Sequence, residues 1–428
     1  MKFGTLPLPA VQEREMEPFV DVVETPCAGI DVHKKVLSVC VSYRGAGGKI
    51  EELVRHYESK RKSLRAMVVW FQELGITHAA MESTANYWRP VFDQLETLCV
   101  VVLVNPYFVK QMPGRKSDVA DCIWIATLLR KGLLRASFIP PREIRDLRDL
   151  TRMRTVRIEH AVKVGNELRQ CLEKAHIKLD SVVSDLLGVS GRAMIRAMIE
   201  GETNPEVLAN LAQRRMRGKI PELRAALDGR LNDHYRFLMR QHWDLLETLE
   251  KQVEKLEREI EQRVIPFEWA VRLLMTAPGI KKIAAATILA EIGDNMDCFE
   301  TARHLVSWAG VCPGNNRSAG RSRSGRNPRG NRFIKGILVQ VALAASRTKQ
   351  AYARALYQRI ARHRGKKRAI LAVANSLLQA IWYMLKHRQE YKELGVNYYE
   401  EQSKEQLTKA LVKRLERLGH QVSLRQVA

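Results

Sequence analysis

Residues 27–43 read CAGIDVHKKVLSVCVSY. β-Branched and apolar residues alternate with small and polar ones, a pattern that predicts a strand. An aspartate, Asp31, stands inside it. A carboxylate in an apolar strand is costly to desolvate unless something pairs with it, so this stretch raises the fold and the site together. Beyond it, Gly47-Gly48 marks a turn and KIEELVRHY returns antiparallel. Residues 60–74 carry Leu64, Met67, Val68 and Phe71 at helical spacing. THAAMES (77–83) reads as a short strand, YWRPVFDQLE as a short helix, and LCVVVLVN (98–105) as a buried strand ended by Pro106. From 117 to 134 the apolar residues again recur at helical period.

The order β, β, α, β, α, β, α fits an α/β domain with a mixed antiparallel and parallel sheet of the ribonuclease H or RuvC type, with one early strand still to be found. From 141 to 265 every recognisable segment is helical and highly charged. Residues 239–260 carry heptad rows, Met239, Leu246, Val253 and Ile260 in one and His242, Leu249 and Leu256 in the other. They suit either a coiled coil that brings two chains together or a helix packed inside a bundle. TAPGIKKIAAATILAEIGD (276–294) reads as two helices joined by a Pro-Gly-Ile turn. It is either a helix-hairpin-helix-like element, whose turn offers N–H groups to a DNA phosphate, or an ordinary helical hairpin. The fold expected is α/β plus all-α. It comprises an extension (1–26), the α/β domain (27–140), a helical coiled-coil dimerisation region (141–265), a mainly helical C-terminal domain (266–390) and a tail (391–428).

The chain has 428 residues, 46% apolar and 28% charged, a globular balance rather than a disordered one. Its net charge of +24 and pI near 9.9 concentrate polyanions, of which nucleic acid is the commonest. Between residues 301 and 389 there are 19 Lys or Arg and no Asp or Glu. A solvated surface interleaves both signs, so this half reads as phosphate-contacting. The seven cysteines have no metal-ligand spacing and suit a reducing cytoplasm. Glu13, Glu15 and Glu17 stand where a signal peptide is apolar, and no uncharged apolar run reaches membrane-spanning length, so neither export nor a membrane partner is expected.

Three further acids join Asp31. Glu82 ends a predicted strand, and Asp118 and Asp121 lie three apart at a helix start, on one face. Singly, Asp118 and Asp121 suit a helix N-terminus and Glu82 a strand end. In the expected sheet the four converge at one edge, a hard-oxygen environment suited to Mg²⁺. Residues 315–332, NNRSAGRSRSGRNPRGNR, thread three serines among six arginines without an acid. That composition suits a basic tether, or a serine hydroxyl held against a phosphodiester by guanidinium groups.

GIDVHKK, MESTANYW, VNPYFVKQMPGRKSDVADCIWIATLL and PGI…AEIGD…WAGVCPGNNRSAGRSRSGRNPRGNRFIKGILVQVALAA, in this order over residues 27–390, resemble the DEDD transposases of bacterial insertion sequences. That group includes pilin-gene invertase relatives and bridge-RNA-guided serine recombinases. The resemblance implies a catalytic and metal-binding quartet of Asp31, Glu82, Asp118 and Asp121, holding Mg²⁺ or Mn²⁺. It also implies a serine nucleophile at Ser318, with Ser322 and Ser324 as rivals that the residues alone leave open. Phosphate contacts then fall to Arg317, Arg321, Arg323, Arg326, Arg329, Arg332 and Lys335. It implies donor and target DNA and a structured guide RNA as partners. It further implies a homo-oligomer, a dimer or a tetramer in the synaptic complex, acting at the nucleoid in the cytoplasm. Ala85 departs from it where glycine is frequent, Ser117 where threonine is, and Cys122 where alanine is. The rival functions are a metal-dependent junction endonuclease using water and a non-catalytic nucleic-acid-binding protein.

Overall fold

Asp31 lies in an apolar segment that folds back on itself. In the computed structural model, the predicted strand 27–43 is two strands, β1 (Cys27–Val32) and β2 (Val36–Arg44), paired antiparallel with Asp31 opposite Ser38. The reversal is a tight turn closed by the His33 N–H donating to the Val36 carbonyl at 3.1 Å. This is the early strand that the element order required. Neither Lys34 nor Lys35 has a positive φ, so the turn needed no glycine and left no glycine to read.

The structure describes residues 21–23, 26–106, 118–314, 316–318, 321–324, 330–399 and 404–424; at 118–120, 316–318, 321–324, 405–407 and 410 it describes only the backbone. β3 (Ile50–Glu58) pairs antiparallel with β2. After α1 (Arg61–Glu73), β4 (His78–Glu82) pairs parallel with β1; after α2 (Trp88–Leu95), β5 (Val100–Val104) pairs parallel with β4. The sheet order is β3-β2-β1-β4-β5. Helices α1 and α2 bury Met67, Phe71, Val91 and Leu95 against Ile30, Leu37, Val39 and Met81 on one face. On the other face α3 (Asp118–Arg130) crosses β1 and β2. A Cβ at Gly29 would stand 2.2 Å from the Cys122 carbonyl oxygen and 2.4 Å from the Ala126 nitrogen, so only glycine admits the helix at this depth.

The chain then becomes helical. α4 (Arg142–Lys174) is followed by α5 (Leu179–Val182), α6 (Val189–Glu200), α7 (Pro205–Asn210) and α8 (Ile220–Leu227). α9 (Asp233–Arg263), α10 (Glu268–Met275), α11 (Lys282–Ile292) and α12 (Ala302–Ala309) come next. A short hairpin of β6 (Asn316–Ser318) and β7 (Arg321–Ser324) precedes α13 (Arg332–Ala345), α14 (Tyr352–Arg364), α15 (Lys366–His387) and α16 (Lys404–Arg417).

Two compact units emerge. The first holds residues 1–140, 297–308 and 313–328; the second holds 141–296, 309–312 and 329–428. In the first, Phe138 meets Phe299 and Trp308 at ring-centroid distances of 5.0 and 5.8 Å, which ties the late segment to the sheet domain. In the second, α4 and α9 pack antiparallel along their length. Arg154 bonds Glu257 near one end, Val164 packs on Leu246 and Leu249 midway, and Cys171 reaches the Tyr235 carbonyl near the other. The heptad residues Met239, Leu246, Leu249 and Ile260 of α9 are buried in this unit, so the rows find their partner within the same chain.

The expected pair of helices about the Pro-Gly-Ile turn is present as α10 and α11. Its Gly279 has φ +81°, and a Cβ there would stand 2.7–2.8 Å from backbone atoms of Val341 and Ala345 in α13. The glycine thus serves close helix packing. Helix α15 has the length and apolarity of a membrane-crossing helix, yet it buries Ile370, Val373, Leu377, Leu378 and Ile381 as a core helix against α13 and α14. The expected extension over 1–26 lies, apart from 21–23 and 26, outside the described residues.

Candidate active site

Side chains of a strand alternate between faces, so Cys27, Gly29 and Asp31 share the face of β1 that meets α3. Cys27 packs with Ile125, Leu128 and Leu129, while Gly29 lies under Cys122 and Ala126. Moving forward along β1 therefore moves backward along α3. Two residues beyond Gly29, Asp31 faces the first turn of α3, where Asp118 and Asp121 stand. The Cys122 thiol reports the same arrangement. Burial pushes it up to about 11, and the negative charges of Asp31 and Asp121 push it in the same direction.

The last parallel pair of β1 and β4 is Ile30 with Met81. The next residue on each strand is an acid, Asp31 on one and Glu82 on the other. The two carboxylates are thus neighbours at the C-terminal ends of adjacent parallel strands, the edge at which open α/β sheets bind ligands. Asp31 is 6% exposed, Glu82 is half-buried and Asp121 is exposed. His33 completes the strand end, with Nε2 2.9 Å from Asp31 Oδ2.

This donor set is of carboxylate oxygens, the chemistry that Mg²⁺ and Mn²⁺ favour, so the residues fit a hard divalent ion. Among the described residues no three or more His, Cys, Asp or Glu stand grouped as a metal site. The Asp118 side chain, needed to complete the quartet, lies outside the description.

The serine segment contains the β6–β7 hairpin. Its register pairs Ser318 with Arg321, Arg317 with Ser322 and Asn316 with Ser324, with an irregularity between Asn316 and Arg317. Ser318 thus ends β6, paired with the first residue of β7, while Ser322 and Ser324 lie farther along β7. Arg317, Arg321 and Arg323 are described by backbone alone, and Arg326 and Arg329 lie outside the described residues. Arg332 is exposed, 3.6 Å from Glu159 and stacked on Phe333 at 4.6 Å. Lys335 is half-buried.

Sequence reasoning passed over His33, although it stands two residues after Asp31 and so on the same face. It also passed over Glu291, which is 0% exposed. The available signal was an acid inside the apolar run IAAATILAEIG.

The chain thus joins an α/β domain with acids at the ends of adjacent parallel strands to a basic helical region. Residues 28–177 match the DEDD transposase family model of IS110 type, described as a transposase. Residues 271–358 match the family described as Transposase IS116/IS110/IS902. The chain belongs to the DEDD transposases of the IS110 family, and as a transposase it is an enzyme acting on DNA. It is 25% identical over 378 residues to a probable family 20 transposase of Pseudomonas aeruginosa, covering 85% of this chain and 98% of that protein. It is 24% identical over 376 residues to the transposase for insertion sequence element IS1111A of Coxiella burnetii, covering 85% and 90%. A 118-residue stretch is 36% identical to an insertion element IS110 protein of Streptomyces coelicolor, covering 27% and 28%. The family is in general dependent on divalent metal.

Proposed function

We propose that this transposase cuts and rejoins DNA through a serine nucleophile, Ser318, supported by a divalent ion, Mg²⁺ or Mn²⁺, that Asp31, Glu82, Asp118 and Asp121 would hold. The observation that supports this reading most is the placement of Asp31 beside Glu82, with the first turn of α3 facing Asp31. When bound, the ion supplies Lewis-acid stabilisation of the charge on the phosphate. The serine Oγ forms a bond to phosphorus as one bond from phosphorus to a sugar oxygen breaks. The bond energy stays in a phosphoserine link, so a second strand can be joined without a high-energy cofactor. Arginines of the same segment, Arg317, Arg321, Arg323, Arg326 and Arg329, with Arg332 and Lys335 beyond it, stabilise phosphate charge. A ribonuclease H-like N-terminal domain, guidance by a structured RNA and action as a dimer or tetramer complete the reading; all three rest on the family resemblance.

The test is to trap wild-type protein on labelled substrate DNA and map the modified residue. An adduct on Ser318, lost in Ser318→Ala while RNA and DNA binding persist, is the expected result. An adduct on Ser322 or Ser324 moves the nucleophile. Metal-dependent cleavage with no adduct under any condition overturns the serine and leaves an endonuclease using water.

A further inference from the structure

Glu291 sits near the end of α11 with its side chain sealed from solvent. Arg152 of α4 holds it by two parallel bonds, Nε to Oε1 at 2.7 Å and Nη2 to Oε2 at 2.8 Å. One turn earlier on the same face, Arg148 donates to the Ala290 and Glu291 carbonyls at 2.9 and 2.8 Å. Those carbonyls lack helical partners at a helix C-terminus, so Arg148 caps α11. Burial pushes Arg148 down to about 10, which leaves it charged at neutral pH. A buried carboxylate with such partners already has a structural explanation. The third contact does not follow from it.

Asn331 Nδ2 donates to Glu291 Oε2 at 2.5 Å, while its Oδ1 accepts from the Phe333 and Ile334 N–H groups as the N-cap of α13. Asn331 is also the first residue after the serine segment's last glycine. That glycine, Gly330, presses on the chain where the segment begins: a Cβ there would lie 2.6 Å from the Ala309 carbonyl and the Gly310 nitrogen. Asn375 steadies the same entry point through the Val311 carbonyl at 3.4 Å. The chain thus leaves for residues 312–329 and returns at one place, and the return is tied to a buried carboxylate that Arg152 pairs.

We propose that Asn331, held by Glu291 and Arg152, is a positioning residue that fixes the root of the serine segment and hence the orientation of its nucleophile; this rests on the serine reading above. A nucleophile that is misplaced by about 1 Å can lose on the order of 100-fold in rate. A root held at both ends suppresses such misplacement without touching substrate.

Glu291→Ala would empty a sealed position and strip the partly exposed Arg152 of its carboxylate partner, which risks destabilising the protein as a whole. Asn331→Ser is the informative variant, because serine keeps an N-cap acceptor and removes only the donor to Glu291. Asn331→Ala removes both. In full-length protein saturated with nucleic acid, Asn331→Ser should lower the single-turnover rate of adduct formation about 10- to 100-fold. Its affinity for nucleic acid and its Tm should stay near wild type, whereas Asn331→Ala should also lower Tm. A purely structural role predicts that the serine variant reacts as wild type does, and that result overturns the proposal. A second readout does not depend on chemistry: trypsin should cut at arginines 317–329 faster in Asn331→Ser than in wild type. Cutting at the wild-type rate overturns the pin even if wild type forms no serine adduct. Faster cutting without any adduct keeps the pin and removes the serine reading.

Discussion

Ala85 follows β4 by three residues and has φ +48°, a left-handed conformation that costs an L-residue about 1–2 kcal/mol. Glycine is frequent at this place in the family resemblance. Glycine relieves the strain but adds about 0.4–1 kcal/mol of unfolded-state entropy. The relief is larger, so Ala85→Gly should stabilise the protein by roughly 0.5–1 kcal/mol, read as a higher urea midpoint with an unchanged slope. A lower midpoint would show that the Ala85 methyl contributes packing worth more than the strain. Asp31 is the opposite kind of residue, one whose removal should leave the fold and stop the reaction. Asp31→Asn keeps the size and a bond acceptor for His33 while removing a charge from a crowded acidic edge. Recombination should vanish, the melting temperature should hold or rise, and the rise produced by Mg²⁺ in wild type should disappear. Near-normal recombination would remove Asp31 from the site. Asp31 was legible because an acid in an apolar strand violates patterning. Glu291 violates it equally, but its explanation lies in Arg152 and Asn331, distant in sequence. Sequence could not tell which of the two acids is a clamp.

Elements were legible where periodicity was strong and hidden where turn chemistry was silent. Strands β3 to β5 and helices α1 to α3 fall where their patterns put them. The β1–β2 turn escaped because Lys34-Lys35 carries no turn signal. The β6–β7 hairpin escaped because its arginines and serines have neither strand propensity nor apolar alternation. The heptad of α9 was visible, but sequence could not say that its partner would be α4 of the same chain. At the junction of α14 and α15, Arg362, Arg364, Lys366, Lys367 and Arg368 are all exposed and have no acidic partner among the described residues. Three of them occupy the first turn of α15, which has no acid, against the helix dipole. Such a placement opposes stability and favours an anionic ligand. Lys366→Glu combined with Lys367→Glu should therefore move two measurements in opposite directions. Each change should stabilise α15 by about 0.3–1 kcal/mol while affinity for duplex DNA falls. The slope of log affinity against log salt should shrink by about 0.9 for each phosphate that the protein no longer neutralises. Unchanged affinity and slope would make this corner a solvated surface.

The whole molecule is not a string of domains in chain order. The sheet unit takes back residues 297–308 and 313–328 after the chain has built most of the helical unit. Nothing in composition announces this, because a returning apolar segment reads the same wherever it docks. Its consequence is a long-range closure: Phe299 is 5% exposed and meets Phe138 at 5.0 Å, some 160 residues away in sequence. Contacts of such separation form late, after loop-closure entropy has been met. The sheet unit should accordingly depend on a residue from the part of the chain that resembles the C-terminal transposase segment. Phe299→Ala removes a buried ring and should cost about 3–5 kcal/mol. That loss should appear where the ring docks. Hydrogen exchange of full-length protein should quicken in β1, β4 and β5, whose stability the closure supports, while α4 and α9 keep their wild-type protection. Faster exchange confined to α4, α9 or α13 to α15 would assign Phe299 to the helical unit and dissolve the closure. Protection unchanged everywhere would mean that the sheet is stable without its returning segment, and a fragment ending at Pro140 should then melt as cooperatively as the sheet does in the full chain.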